Sequence, residues 1–302
     1  MPFPGKALRG FRKGWLILSL VIVFQVASNY LESGEDAPSI RRPQVSQQAP
    51  QGRQPQASGP VLPRASRHDP LFKIKTGKKS NSTGTAFAVQ DDGIWITARH
   101  VVDGCDKVGL VTEPRRAIRV FRVLPHPRAD MAMLWTRRTV PPLAISNAPL
   151  RVRQKGFHFG FPQSDPGQVT STLLGRRNMR TTGRYRHTEP VIAWAELRRV
   201  PLTESLGGIS GGPALNANGE IVGVTVASSK RRGRVYTTAP ISMDQLLSQA
   251  KIEPNGLPSA GLNTSPADSN FIDYGIALRR QLTVAQVICC IEGNSRRRGR
   301  HL

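Results

Sequence analysis

Apolar and polar residues alternate in short runs along most of this 302-residue chain. From residue 71 such runs occur at 71–76, 85–90, 94–97, 107–112, 117–124 and 131–136, separated by Gly, Pro, Asn and Asp. Rich in Val, Ile, Thr and aromatics, they have the pattern of half-buried strands. Asp91-Asp92-Gly93 supplies a hairpin turn between the second and third. After Pro141-Pro142 the pattern resumes at 154–161, 168–174, 191–197, 214–215, 221–227 and 235–238. No helical period intervenes, so an all-β antiparallel sandwich or barrel is predicted. The double proline divides the strands into two groups of similar size, which predicts two small barrels. One helix is expected, ISMDQLLSQAK over 241–251, with Ile241, Leu246 and Leu247 facing the core and Pro254 beyond it.

The ends have a different texture. Residues 1–14 form a basic flank with Lys6, Arg9, Arg12 and Lys13, and 15–31 are mostly apolar. That combination predicts either an uncleaved signal anchor or a cleaved signal peptide, placing the rest of the chain outside the cytoplasm. Residues 32–69 are rich in Pro, Gln, Gly and Ser and are expected to be a disordered linker. Residues 251–302 read as a basic C-terminal tail with one apolar patch at 282–291.

Lys and Arg outnumber Asp and Glu by 43 to 20, a net charge of +23. Nonspecific attraction to anionic surfaces follows. The chain lacks zinc-ligand spacing and an aromatic RNA-binding signature and has few aromatics for base stacking, so specific nucleic-acid binding is not expected. Cysteine is limited to Cys105, Cys289 and Cys290, which excludes a disulfide-dense scaffold and offers no metal site. Neither a cofactor nor a metal is expected.

Candidate chemistry centres on Gly207-Gly208-Ile209-Ser210-Gly211-Gly212-Pro213. Glycines of this density suit a sharp turn or a close backbone approach, and an exposed serine hydroxyl beside backbone N–H groups suits a nucleophile. Taken alone, a plain turn between strands fits as well. Two further patterns change that balance. Ile96-Thr97-Ala98-Arg99-His100 places a histidine after a strand, and Asp130-Met131-Ala132-Met133-Leu134 places an aspartate at the head of another. His100, Asp130 and Ser210 follow one another at intervals of 30 and 80 residues. The loop also fits the elbow of α/β-hydrolases, but that fold needs its histidine after the serine, and only His301 follows Ser210.

These motifs, in this order, resemble the trypsin-like (chymotrypsin-fold) serine peptidases, in particular the bacterial HtrA/Deg branch. The resemblance covers 70–250. It implies two six-stranded antiparallel β-barrels with a His100–Asp130–Ser210 triad between them and an oxyanion hole formed by the N–H groups of Gly208 and Ser210. Protein or peptide substrates are implied, running beside Thr225, Val226, Ala227 and Ser228, with Glu204 at the place of the acidic base of a primary pocket. With the N-terminal segment, it implies a single-pass protein of the bacterial inner membrane facing the periplasm or exterior, or a secreted one if that segment is cut. The alternative is a catalytically inactive scaffold of the same fold at an anionic envelope surface. Residues 251–302 are too few for the PDZ module common in that branch. In an oxidising compartment Cys105 has Cys289 or Cys290 as a partner, or remains free. His68, His126, His158 and His187 are expected to be structural or exposed.

Overall fold

The computed structural model describes residues 59–78, 80–253, 262 and 264–292. The apolar segment 15–31 and residues 32–58 of the expected linker lie outside the described residues, whereas the end of that linker is ordered, with Val61 bridged to Arg151 and Leu62 buried. Among the described residues, no helix is long and apolar enough to cross a membrane.

In chain order the strands begin with β1 (Leu71–Thr76), β2 (Ser82–Gln90) and β3 (Ile94–Thr97), then a single helical turn α1 (Arg99–Val102). Next come β4 (Lys107–Glu113), β5 (Arg116–Arg119), β6 (Arg122–Pro125) and β7 (Ala132–Trp135). Beyond the double proline lie β8 (Lys155–Gly160), β9 (Gly167–Gly183), β10 (His187–Val200), β11 (Pro213–Leu215), β12 (Ile221–Ser229) and β13 (Arg234–Thr238). Helices α2 (Pro240–Ala250) and α3 (Phe271–Arg280) and strand β14 (Val284–Cys290) complete the fold.

The fold is mostly β, with two curled sheets consistent with a two-barrel architecture. The second sheet closes on itself: β9, β10, β13, β12, β11 and β8 pair in sequence, and β8 pairs back with β9. That is the expected six-stranded ring, with β1 added outside it as a parallel partner of β9. The first sheet runs β5-β4-β14-β2-β3-β7-β6, seven strands in place of the expected six. Trp95, Phe87 and Met133 of the first sheet share one continuous apolar core with Phe157, Phe159 and Leu215 of the second. Burying that apolar surface is the main force holding the sheets together.

The additional strand comes from the segment expected to be tail. β14 lies between β2 and β4 and is antiparallel to both. Its VAQVICC sequence buries Val284, Ala285 and Val287. A short apolar run cannot be assigned to a strand, still less to a sheet position, from its own residues. Ahead of it α3 buries Phe271, Tyr274 and Leu278. Arg279 of that helix donates to Gln168 Oε1 at 2.6 Å and Gly167 O at 3.3 Å, tying α3 to the second sheet. Cys105 and Cys289 form a disulfide across 184 residues, with Cα atoms 5.5 Å apart, and Cys290 is free and exposed.

Smaller differences have local causes. The run 117–124 divides into β5 and β6 because β5 pairs with β4 whereas β6 pairs with β7. Helix α2 forms as expected and buries Leu246 and Leu247, but Ile241 is 51% exposed and Met243 occupies the core instead. The hairpin of β9 and β10 is far longer than 168–174 and 191–197. Its extension contains Arg176, Arg177, Arg180, Arg184 and Arg186, which reads as loop, yet Met179 and Thr181 are buried. That extension carries β1 and brings side chains of the second sheet to Asp130.

Candidate active site

His100 begins where β3 ends. Thr97 Oγ1 donates to Thr85 O at 2.6 Å, and the chain then turns through α1. Asp130 lies just ahead of β7, the direct partner of β3, so the two residues meet at one end of paired strands. His100 Nδ1 and Asp130 Oδ2 are 2.6 Å apart, and the His100 backbone N–H donates to Asp130 Oδ1 at 2.8 Å. Two bonds from one residue fix both the position and the ring orientation of the imidazole.

Ser210 is seated against the same region. The N–H of Thr85 donates to Ser210 O at 2.8 Å. A Cβ on Gly211 would lie 2.0 Å from Thr85 O and 2.8 Å from Ala98 N, and its φ is +90°. Only glycine allows the loop to press this closely on the strand leading to His100. A Cβ on Gly84 would meet Val101 Cγ1 at 2.6 Å and Ser210 O at 3.0 Å, so the serine and α1 flank one glycine. Among the described residues, Ser210 Oγ forms no hydrogen bond, including to His100. Such contacts are often open in ligand-free sites and tighten when substrate binds.

The hydrogen bonds of the glycine loop leave a distinctive remainder. Gly207 N–H donates to Ser205 Oγ, Ile209 N–H to Leu206 O, Gly211 N–H to Thr225 O and Gly212 N–H to Ile209 O. The N–H groups of Gly208 and Ser210 have no acceptor among the described residues. Gln163 N–H holds Gly207 O at 2.5 Å. Because a trans peptide points its C=O and N–H in opposite directions, the Gly208 N–H is aimed away from that contact. Gly208 has φ +103°, and a Cβ there would lie 2.3 Å from Phe161 O.

A cleft of 530 Å³ opens beside His100 and Asp130. Val226, Ala227 and Ser228 line one wall and β1 lines another. In this part of β12 the only strand pairing is with β13, which leaves the edge from Val226 onward open. Thr225 departs from expectation. Its side chain is fully buried and bonds His158 Nδ1 at 3.2 Å, while its backbone is bonded to Gly211 and Gly212. It faces the barrel interior because strand residues alternate sides, so it is a support for the loop and not a cleft residue. Glu204 is exposed and does not line this cleft, and neither does Ser210.

His158 is a satisfied core residue, as expected. Its Nε2 bonds Ser171 Oγ at 2.8 Å, and burial pushes its pKa down to about 3. His126 is 2% exposed, and its Nδ1 accepts from Arg128 N–H. His187 has a different setting. It stacks on Tyr185 with ring centroids 5.3 Å apart and bonds Glu189 Oε1 at 3.0 Å. Glu189 Oε1 also accepts the Asp130 N–H at 2.8 Å, and Tyr185 OH donates to Asp130 Oδ1 at 3.1 Å. Arg99 lies over the Tyr185 ring at 4.5 Å. Tyr185, His187 and Glu189 therefore buttress Asp130 from the other sheet. No local motif marks them, because the link exists only once the β9–β10 hairpin reaches across.

Electrostatics follow from this arrangement. Burial lowers the pKa of His100, but the charge and hydrogen bond of Asp130 more than offset it, so the imidazole stands above its ordinary 6.5. Burial raises Asp130, and the His100 charge and its hydrogen bonds bring it below its usual value. Burial pushes Glu189 up to about 7, and its Oε2 has no partner.

Two curled β sheets thus carry a hydrogen-bonded His–Asp pair at one strand end, with a glycine-rich serine loop seated beside it. Residues 84–224 match the model of the trypsin-like peptidase domain family. A probable periplasmic serine endoprotease, DegP-like, from Pseudomonas fulva is 25% identical over 70% of this chain and 44% of its own length. A protein of the same description from Marinomonas sp. is 28% identical over 52% of this chain and 32% of its own. The chain thus spans less than half the length of the curated relatives it matches. Among solved structures, the active form of the Rv3671c protease from M. tuberculosis aligns at 18% identity and TM-score 0.48, covering 66% of this chain and 96% of its own.

Proposed function

We propose that this chain is a serine endopeptidase that hydrolyses peptide bonds in proteins outside the cytoplasm. One observation carries the reading. A hydrogen-bonded His100–Asp130 pair adjoins a serine loop in which only Gly208 and Ser210, of residues 207–212, have N–H groups without a protein acceptor. In this reading Ser210 Oγ attacks the scissile carbonyl as His100 takes its proton, and the imidazolium then gives that proton to the leaving amine. Asp130 holds the tautomer with the Nδ1 proton facing it and stabilises the imidazolium. The N–H groups of Gly208 and Ser210 receive the developing oxyanion. The open edge of β12 from Val226 to Ser228 takes the substrate backbone as an added strand, leaving its scissile bond beside His100.

The setting outside the cytoplasm rests on three observations: the basic-then-apolar segment 1–31, the Cys105–Cys289 disulfide, and relatives described as periplasmic. Attachment to the bacterial inner membrane through residues 15–31 belongs to the same proposal. The test is hydrolysis of an unfolded protein by the purified full-length chain, compared with its Asp130→Asn and Ser210→Ala variants. Asp130→Asn is expected to lower kcat by about 10⁴-fold by presenting the wrong tautomer. Equal activity in all three proteins would reject the triad.

The second reading is a scaffold of the same fold without activity. It predicts that none of the three proteins hydrolyses substrate.

A further inference from the structure

The wall of the cleft opposite β12 is made by β1, and its side chains set the charge of the site. Along β1 the sequence LFKIKT alternates. Phe72 and Ile74 pack inward, with the Phe72 ring 4.4 Å from that of Tyr236, while Lys73 and Lys75 point outward and are exposed. Parallel pairing with β9 in a single register fixes this alternation, because a slip of one residue would exchange the two faces. Lys78, just after the strand, is also exposed. All three lysines line the cleft that holds His100 and Asp130.

Arg184 adds a fourth cation to the same lining. It is fixed by donating to His100 O at 2.9 Å and Asp103 O at 2.8 Å. The cleft contains one acid, Asp130, and that carboxylate is taken up by His100 and Tyr185. Lys73, Lys75 and Lys78 have no ion-pair partner among the described residues. The cations therefore act together on whatever enters. Charges of one sign collected in a cleft raise the local concentration of ligands of opposite sign and speed their capture.

Building on the serine-endopeptidase reading, we propose that this β1 wall selects acidic polypeptide segments, with Lys73, Lys75 and Lys78 pairing with Asp and Glu side chains of the substrate stretch that lies beside His100 and Asp130. Glu204 does not line this cleft. The lysines sit on exposed positions of a strand held by its other face, so changing them spares the core.

The test uses the full-length chain and a set of internally quenched peptides identical except for Glu, Gln or Lys at the positions flanking the cleavable bond. kcat/KM is measured at low and high salt, alongside the rate of fluorophosphonate labelling of Ser210. The wild type is expected to cut the Glu peptides about tenfold faster than the Lys peptides, with the gap narrowing as salt screens exposed charges. In a Lys73→Glu, Lys75→Glu, Lys78→Glu variant the preference should reverse while Ser210 still takes the label. A labelled wild type that cuts all three peptide classes alike, or none of them, overturns the charge selection and leaves the nucleophile intact. A bias that persists unchanged in the triple variant overturns it too. Absence of both labelling and cleavage in folded protein rejects the peptidase reading itself, and the charge selection with it.

Discussion

Replacing Glu189 by glutamine is predicted to stabilise the protein at alkaline pH. The carboxyl is 1% exposed, and one of its oxygens has no partner. Burial raises its pKa from 4.5 to about 7, which makes the ionised folded protein roughly 3 kcal/mol less stable than the protonated one. The direction follows from proton counting. Below about pH 4.5 folded and unfolded chains both hold the proton, and stability is flat. Between about 4.5 and 7 the folded chain keeps a proton that the unfolded chain has lost, so stability falls as pH rises. Above about 7 the loss is complete. Glu189→Gln keeps an oxygen to accept from Asp130 N–H and removes the titration. In a Ser210→Ala background, which prevents self-digestion, urea unfolding should show the variant about 2–3 kcal/mol more stable at pH 8 and nearly unchanged at pH 4.5. The Glu189 charge also helps raise His100, so in the active background the acid limb of kcat/KM should move to lower pH. A variant less stable at pH 8 than the wild type would refute the reasoning.

Other consequences are more direct. The acid limb of kcat/KM in the wild type should lie above pH 6.5, since the reactive form needs a neutral His100 and Asp130 holds its proton on; initial rates across pH check this. Gly208→Ala should lower kcat by about 10²–10³-fold, because a Cβ 2.3 Å from Phe161 O must displace the N–H that receives the oxyanion. Cys105→Ser should lower unfolding stability by about 2–5 kcal/mol, read from denaturant midpoints, because the disulfide links residues 184 apart and restricts the unfolded chain.

The parts of this site that were legible in the sequence are those carried by local motifs. His100, Asp130 and Ser210 each sit next to a strand with a recognisable pattern, and the alternation of those strands also gave the all-β class and the helix after them. The second ring of six was implied by the same resemblance. What escaped the sequence depends on contacts between distant segments. β14 is a short apolar run that becomes a strand only because a gap between β2 and β4 accepts it. Tyr185 and Glu189 lie in an arginine-rich stretch resembling a loop, and they reach Asp130 only through an extended hairpin. Thr225 was placed by counting from the serine, and counting does not say which way a side chain faces. The Cys105–Cys289 link was one of several open pairings until β14 came to lie beside β4.

The central claim is that Ser210 is a nucleophile activated by His100. Peptide mapping by mass spectrometry after exposure of the full-length chain to a fluorophosphonate probe tests it most directly. The account predicts one adduct on Ser210, absent from Ser210→Ala and formed at least about 10³-fold more slowly in His100→Ala. A folded wild type left unmodified, or modified at the same rate without His100, would contradict it.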